Sequence, residues 1–206
     1  MKVSHIIYKV GDLHKGVAEF RRKGFEVEYG TNKNPYNAIV YFSEGPYLEL
    51  MGSTGMPGAV KRLMRLFGKQ KLVQRLDYWD GHPGGPCGLA LENYKTDLEV
   101  ERAILNRYYQ TGTQMPSRRN DTKGRKLRFT CLFPDDLHIP FFMTYFNIDP
   151  KPKAFVHPNG AVRISSVSFG TKAEYIPLIQ ELCDDDTLKL FVGEGIQDLQ
   201  YEYIQK

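Results

Sequence analysis

Two residues carry the chemistry this sequence makes easiest to argue. His5 sits in Ser4-His5-Ile6-Ile7-Tyr8-Lys9-Val10, and Glu49 sits in Tyr47-Leu48-Glu49-Leu50-Met51. An imidazole nitrogen and a carboxylate oxygen are both metal donors, and a carboxylate also accepts protons. Each lies in a short apolar run that reads as a strand, where successive side chains point to opposite faces. Glu49 therefore faces away from Leu48 and Leu50, toward a cleft or toward solvent. For His5 the plainer alternative is a hydrogen-bonded structural histidine. His157 precedes the turn signal Asn159-Gly160 and is either a loop residue or part of a site. Cys87 has no base beside it in sequence and reads as inert. Trp79, Phe141, Phe142 and Tyr145 read as core, or as a wall that stacks on a flat ligand. No Gly-rich phosphate loop, HExxH or GxSxG is present.

The elements around these residues repeat. Ile6, Tyr8 and Val10 mark a first strand. Asp12 is placed to cap a helix whose Leu13, Val17 and Phe20 share one face, with Gly24 to stop it. Strands follow over 25–29, 37–42 and 46–51, giving β-α-β-β-β. After a Gly/Pro loop, Val60, Leu63, Met64 and Phe67 fall on one face of a helix, read as a packing stripe. The run Gly81-His82-Pro83-Gly84-Gly85-Pro86 is a linker. The pattern then restarts. A strand at 88–92 precedes a capping box, Thr96 to Glu99, whose helix would bury Val100, Ala103, Ile104 and Tyr108. A short strand is expected at 113–115, then polar loop over 116–124, then strands at 127–133 and 140–146. A third, partial β-α-β-β pass runs over 151–206, with Pro177 in the first turns of its helix. The expected organisation is a first unit with its linking helix (1–80), a second unit (81–150) and the partial third. The fold class is α+β, built of repeated βαβββ units.

Composition is that of an ordinary globular chain: 206 residues, 41% hydrophobic, 25% charged and a formal net charge of +4. No apolar run approaches the roughly 18 residues that span a bilayer. The N-terminus has no apolar leader, so a cytoplasmic protein is expected. Cys87, Cys131 and Cys183 form no CxxC pair and no disulfide framework. Basic residues concentrate over 61–75 and 118–128. These read as a solvated helix face and a charged hairpin, or as a patch for anionic ligands. Neither nucleic acid nor a membrane is an expected partner, because the charge is modest and no nucleic-acid motif appears.

Repeated βαβββ units with a His on the first strand and a Glu on the fourth resemble the vicinal oxygen chelate superfamily, of glyoxalase, bleomycin-resistance and dioxygenase type. Pro35-Tyr36-Asn37-Ala38, Pro140-Phe141-Phe142 and His157-Pro158-Asn159-Gly160-Ala161, with the two runs above, are similar to its glyoxalase-like domain proteins of bacteria. The resemblance spans roughly residues 3 to 170. It implies that two paired units form curled mixed sheets around a cleft, which holds one divalent metal ion or an organic ligand. The metal ligands would be His5 and Glu49, with Glu49 also catalytic. Trp79, Phe142, Thr144 and His157 would bind the ligand. The second unit departs from the pattern, since its matching positions fall at about Gly88 and at Met143 or Thr144. Two functions follow as expectations. One is a metal-dependent isomerase, lyase or hydrolase acting on a small molecule. The other is a metal-free protein that binds or sequesters one. Units in this superfamily pair within a chain or between chains, which leaves a homodimer open.

Overall fold

The first strand, β1 (Lys2–Lys9), buries Val3 and Ile6 on one face and His5 and Ile7 on the other. A computed structural model describes residues 1–204 of the chain. Helix α1 (Leu13–Arg22) starts where Asp12 Oδ1 accepts the Lys15 amide at 2.8 Å. It buries Leu13, Val17 and Phe20 and ends at Gly24, whose φ of +80° suits glycine. Strands β2 (Glu28–Tyr29), β3 (Asn37–Val40) and β4 (Tyr47–Met51) complete the unit. Helices α2 (Gly58–Leu66) and α3 (Gln70–Gly81) lead to a second unit. That unit is β5 (Gly85–Asn93), α4 (Glu99–Arg107), β6 (Gly112–Asn120), β7 (Lys126–Pro134) and β8 (Phe141–Thr144).

The two units share one eight-stranded sheet in the order β2-β3-β4-β1-β5-β8-β7-β6. Within each unit the first and last strands are parallel, and β1 joins β5 antiparallel. One face carries Ile6, Leu48, Leu50, Leu89, Leu91, Leu132 and Phe142 into the main core. The opposite face is concave and is the candidate cleft. A second sheet backs the core, in the order β10-β9-β11. It comprises β9 (Ala161–Thr171), a 3-10 turn over Ala173–Tyr175, α5 (Ile176–Leu182), β10 (Leu188–Val192) and β11 (Gly195–Tyr203). Pro177 lies in the first turn of α5, where its missing N–H costs nothing.

Four local expectations are corrected. Most of the stripe on α2 faces outward: Val60, Leu63 and Phe67 are 40%, 53% and 74% exposed, while Met64 packs partly against the core and Lys61 is buried. Two carboxylates of α3 explain the inversion, because Lys61 Nζ lies 2.9 Å from Asp77 and 2.5 Å from Asp80. Periodicity shows that a helix has two faces, not which one meets a neighbour. Helix α4 buries Glu101 and Leu105 instead of Val100 and Ala103, since Asn93 donates to Glu101 at 2.9 Å. Its capping box does not form; Asp97 Oδ1 accepts the Glu99 amide instead. Of the polar stretch expected to be loop over 116–124, residues 116–120 are the end of β6, paired with β7, and only 121–124 form the turn. An edge strand with one wet face reads as polar, and it tolerates Pro116.

Replacing Lys61 with Met leaves Asp80 without its cation, while Asp77 keeps Arg65. Both are part-exposed, at 43% and 28%. We expect a loss of about 1–3 kcal/mol in urea unfolding. Asp136 makes a second prediction. It accepts from Lys172 Nζ at 2.6 Å and Tyr175 OH at 2.9 Å, tying the β7–β8 connection to the second sheet. Burial alone would raise its pKa, but these donors and His138 hold it well below the usual carboxylate range. Its contribution to stability is therefore present above the unfolded value near 3.8 and lost as pH falls below it. The Asp136→Asn variant should be less stable than wild type at pH 7, and the gap should narrow on acidification.

Candidate functional site

The concave face encloses a cavity of about 450 Å³, with His5, Glu49, Trp79, Arg119, Phe133 and Phe141 among its lining residues. Strand parity places the first two: His5 and Ile7 alternate away from Ile6, and Glu49 and Met51 away from Leu50. His5 Nε2 stands 3.4 Å from Glu49 Oε2. The imidazole stacks on Tyr47 at 4.6 Å and meets the edge of Phe141 at 5.4 Å.

A bulge in β1 sets the tautomer of His5. The β1–β5 register slips between Val3 and His5, leaving Ser4 unpaired. A bulge re-aims side chains, so consecutive Ser4 and His5 both reach the same neighbourhood. Ser4 Oγ donates to Glu92 Oε2 at 2.6 Å and lies 3.1 Å from His5 Nδ1. A hydroxyl has one proton; given to Glu92, it leaves the oxygen to accept from His5 Nδ1–H. The Nε2 lone pair then points at Glu49. Asn37 holds the other carboxylate oxygen, donating to Oε1 at 2.7 Å.

Burial dominates the electrostatics. The His5 pKa is lowered to about 3, chiefly by desolvation and then by the cations Arg119 and Lys151. Glu49 is pushed up by burial, opposed by Asn37 and Arg119. Glu92 is raised for the same first reason, opposed by Lys151 and Ser4. Arg119 comes from the far edge of the sheet. It donates to Gly30 O at 3.2 Å and to the Tyr41 hydroxyl. With Asn32 donating to Thr122 O and Thr122 donating to Glu28, it draws the two sheet edges together.

Register defines the second unit's equivalents. His5 pairs with Tyr47 across the parallel ladder, two residues before Glu49. Ala90 pairs with Phe141, two residues before Met143. The positions matching His5 and Glu49 are thus Ala90, rather than Gly88, and Met143. Neither is a ligand for a hard cation. Gly88 instead makes room for the indole of α3, since a Cβ there would lie 2.9 Å from Trp79 Nε1. Among the described residues no three His, Cys, Asp or Glu side chains converge as a metal site. His5 and Glu49 could occupy two adjacent positions on an ion, but two donors do not fit a firmly resident one.

Of the candidate residues, His5, Glu49 and Trp79 meet in the cleft. Phe142 is fully buried in the core on the opposite face. Thr144 shares that parity and accepts the Thr130 amide outside the cleft. His157 is buried behind the sheet among Phe25, Phe42 and Phe155, with Nδ1 accepting the Glu26 amide at 3.0 Å. Sequence reasoning does not single out Ser4, Asn37, Glu92 or Arg119. Ser4 and Asn37 lie inside the runs that carry the family resemblance, and Arg119 lies inside a basic segment. Nothing in sequence joins Glu92 to Ser4.

The glyoxalase-like domain family model matches residues 3–182. A hypothetical protein from Staphylococcus aureus has a similar structure, with a TM-score of 0.60 at 18% identity over 95% of this chain and 88% of that one. The Mn(II)-bound glyoxalase from Novosphingobium aromaticivorans is also matched, with a TM-score of 0.49 at 12% identity over 87% of this chain and 50% of that one. This chain spans about half the length of that glyoxalase. A comparison with curated protein sequences finds no match. The cleft between paired βαβββ units and the match over most of the chain agree: this protein belongs to the glyoxalase-like domain family of the vicinal oxygen chelate superfamily.

Proposed function

We propose that the cleft binds a small molecule bearing adjacent oxygens and that Glu49, with His5, moves a proton on it. The observation that carries this reading is the 3.4 Å approach of His5 Nε2 to Glu49 Oε2 at the cleft wall. With its Nδ1 proton directed to Ser4, His5 can accept a substrate hydroxyl at Nε2. Glu49, when ionised, can take a proton from the carbon beside a substrate carbonyl. The electrons of that C–H bond move into the carbonyl, and the Arg119 charge favours the resulting enolate. Returning the proton to the former carbonyl carbon, while His5 Nε2 passes the hydroxyl proton to the enolate oxygen, isomerises an α-hydroxy carbonyl substrate; returning it to the same carbon exchanges it. Tyr47, Trp79 and Phe141 exclude water on one side. No step here is routed through a metal, because the donor set does not fit one.

The test is proton exchange. Protein freed of metal with a chelator is incubated in D₂O with a panel of α-hydroxy ketones and dicarbonyls, and deuterium uptake is followed by NMR. At least one compound should exchange above background, and Glu49→Gln should slow it by about 100-fold or more. Because the Glu49 pKa is raised, exchange should increase as pH rises through a value above 4.5. Binding without exchange would instead support the sequestering alternative, and equal exchange by Glu49→Gln would end the proton-transfer reading.

Metal content is an independent check. Purified without a metal-binding tag, the protein should carry well under about one equivalent of divalent ion. A full equivalent, lost in a His5→Ala, Glu49→Ala double variant, would restore the metal-dependent reading.

A further inference from the structure

A second cavity adjoins the cleft, sharing Ser117, Arg118 and Phe129 with it. It occupies about 740 Å³ beside β6 and β7 of the second unit, and Tyr94, Lys95, Arg118, Arg128, Thr144 and Tyr145 are among its lining residues. A volume of this order suits a small organic ligand. Two independent observations say what kind.

The first is charge. Arg118 and Arg128 are direct partners in the β6–β7 ladder. Like charges placed opposite each other across an antiparallel pair repel. Among the described residues, neither guanidinium has a carboxylate or hydrogen-bond partner, although most other arginines of the chain do. Lys95 adds a third cation to the same wall. The neighbouring Asp149 is engaged elsewhere, accepting from the Tyr145 hydroxyl at 2.6 Å and from the Lys151 amide at 2.9 Å.

The second is aromatic surface. Tyr94 is 71% exposed. Its ring packs on Tyr145 with centroids 4.9 Å apart and planes 35° from parallel. Tyr145 is itself fixed by Asp149 and by Lys151 over its ring. Tyr94 thus extends a rigid aromatic shelf toward solvent, next to unneutralised cations.

We propose that this outer groove is a binding site for a flat-ringed small molecule bearing a phosphate or carboxylate. The ring lies against Tyr94 and Tyr145, and the anionic oxygens bridge Arg118 and Arg128. The groove adjoins the cleft, with Arg118 on the border between them, and ligand binding there does not depend on the proton-transfer reading. One anion between the two arginines relieves their mutual repulsion.

The test is isothermal titration of the whole chain with 1-naphthyl phosphate and with 1-naphthoate, which separates the two anion types. 1-Naphthol and inorganic phosphate supply the ring alone and the charge alone. One ring-bearing anion should bind about tenfold or more tightly than either half. An Arg118→Gln, Arg128→Gln double variant and a Tyr94→Ala variant should each weaken it by a similar factor, while Arg119→Gln and Glu49→Gln leave it unchanged. At low salt the double variant should melt no lower than wild type, because it loses a like-charge pair. The proposal fails if neither anion binds, if 1-naphthol binds as well, or if binding follows Arg119 or Glu49 instead. It also fails if the double variant melts lower, which would make the arginines structural.

Discussion

Backbone hydrogen bonds between β1 and β5 join the two units into one sheet, with His5 opposite Ala90 and Ile7 opposite Gly88. Everything at the cleft depends on that register. It fixes which face each alternating side chain takes. It also brings Glu92 of the second unit to Ser4 of the first. A slip of one residue would turn His5 into the apolar core and Ile6 into the cleft. The core opposes such a slip, because Ile6, Leu89 and Leu91 are all fully or nearly fully buried on the other face. Burial of apolar side chains thus holds the polar ones in place.

The same sheet makes the cleft chemically unusual. Its side chains sit where water is scarce, so His5 and Glu49 are each displaced toward the neutral form by the cost of burying charge. Burial keeps His5 neutral, helped by Arg119 reaching in from the opposite edge, and it raises Glu49 against the opposing pull of Asn37 and Arg119. The edges meet through side chains rather than through a strand ladder. The cleft is therefore closed by a few polar contacts, while its walls are held by the core.

The two units have parted in their chemistry while keeping their geometry. Ala90 and Met143 stand where His5 and Glu49 stand in the first unit, in an equivalent pairing register. The second unit supplies apolar wall to the cleft, and on its outer face it exposes a cationic hairpin and an aromatic shelf. The second sheet covers the core from behind and gives its apolar residues to both units.

The sequence by itself determined the repeated βαβββ order, the cap at Asp12, the stop at Gly24, and His5 and Glu49 as the residues worth pursuing. These are local matters: strand alternation, helix capping and glycine conformation act over a few residues and leave a pattern that can be read. Tertiary structure decided the rest. Helix α2 turns Lys61 inward because Asp77 and Asp80 wait on α3. The end of β6 is strand because β7 pairs with it, although its residues are polar. Phe142, Thr144 and His157 lie away from the cleft because parity and packing place them on the other face or behind it. Glu92 and Arg119 reach the site from 88 residues beyond Ser4 and 78 residues beyond Tyr41 in the chain. Local patterns carry no information about which distant side chain will fill a position. That depends on register and on packing between elements, and only the folded sheet defines both.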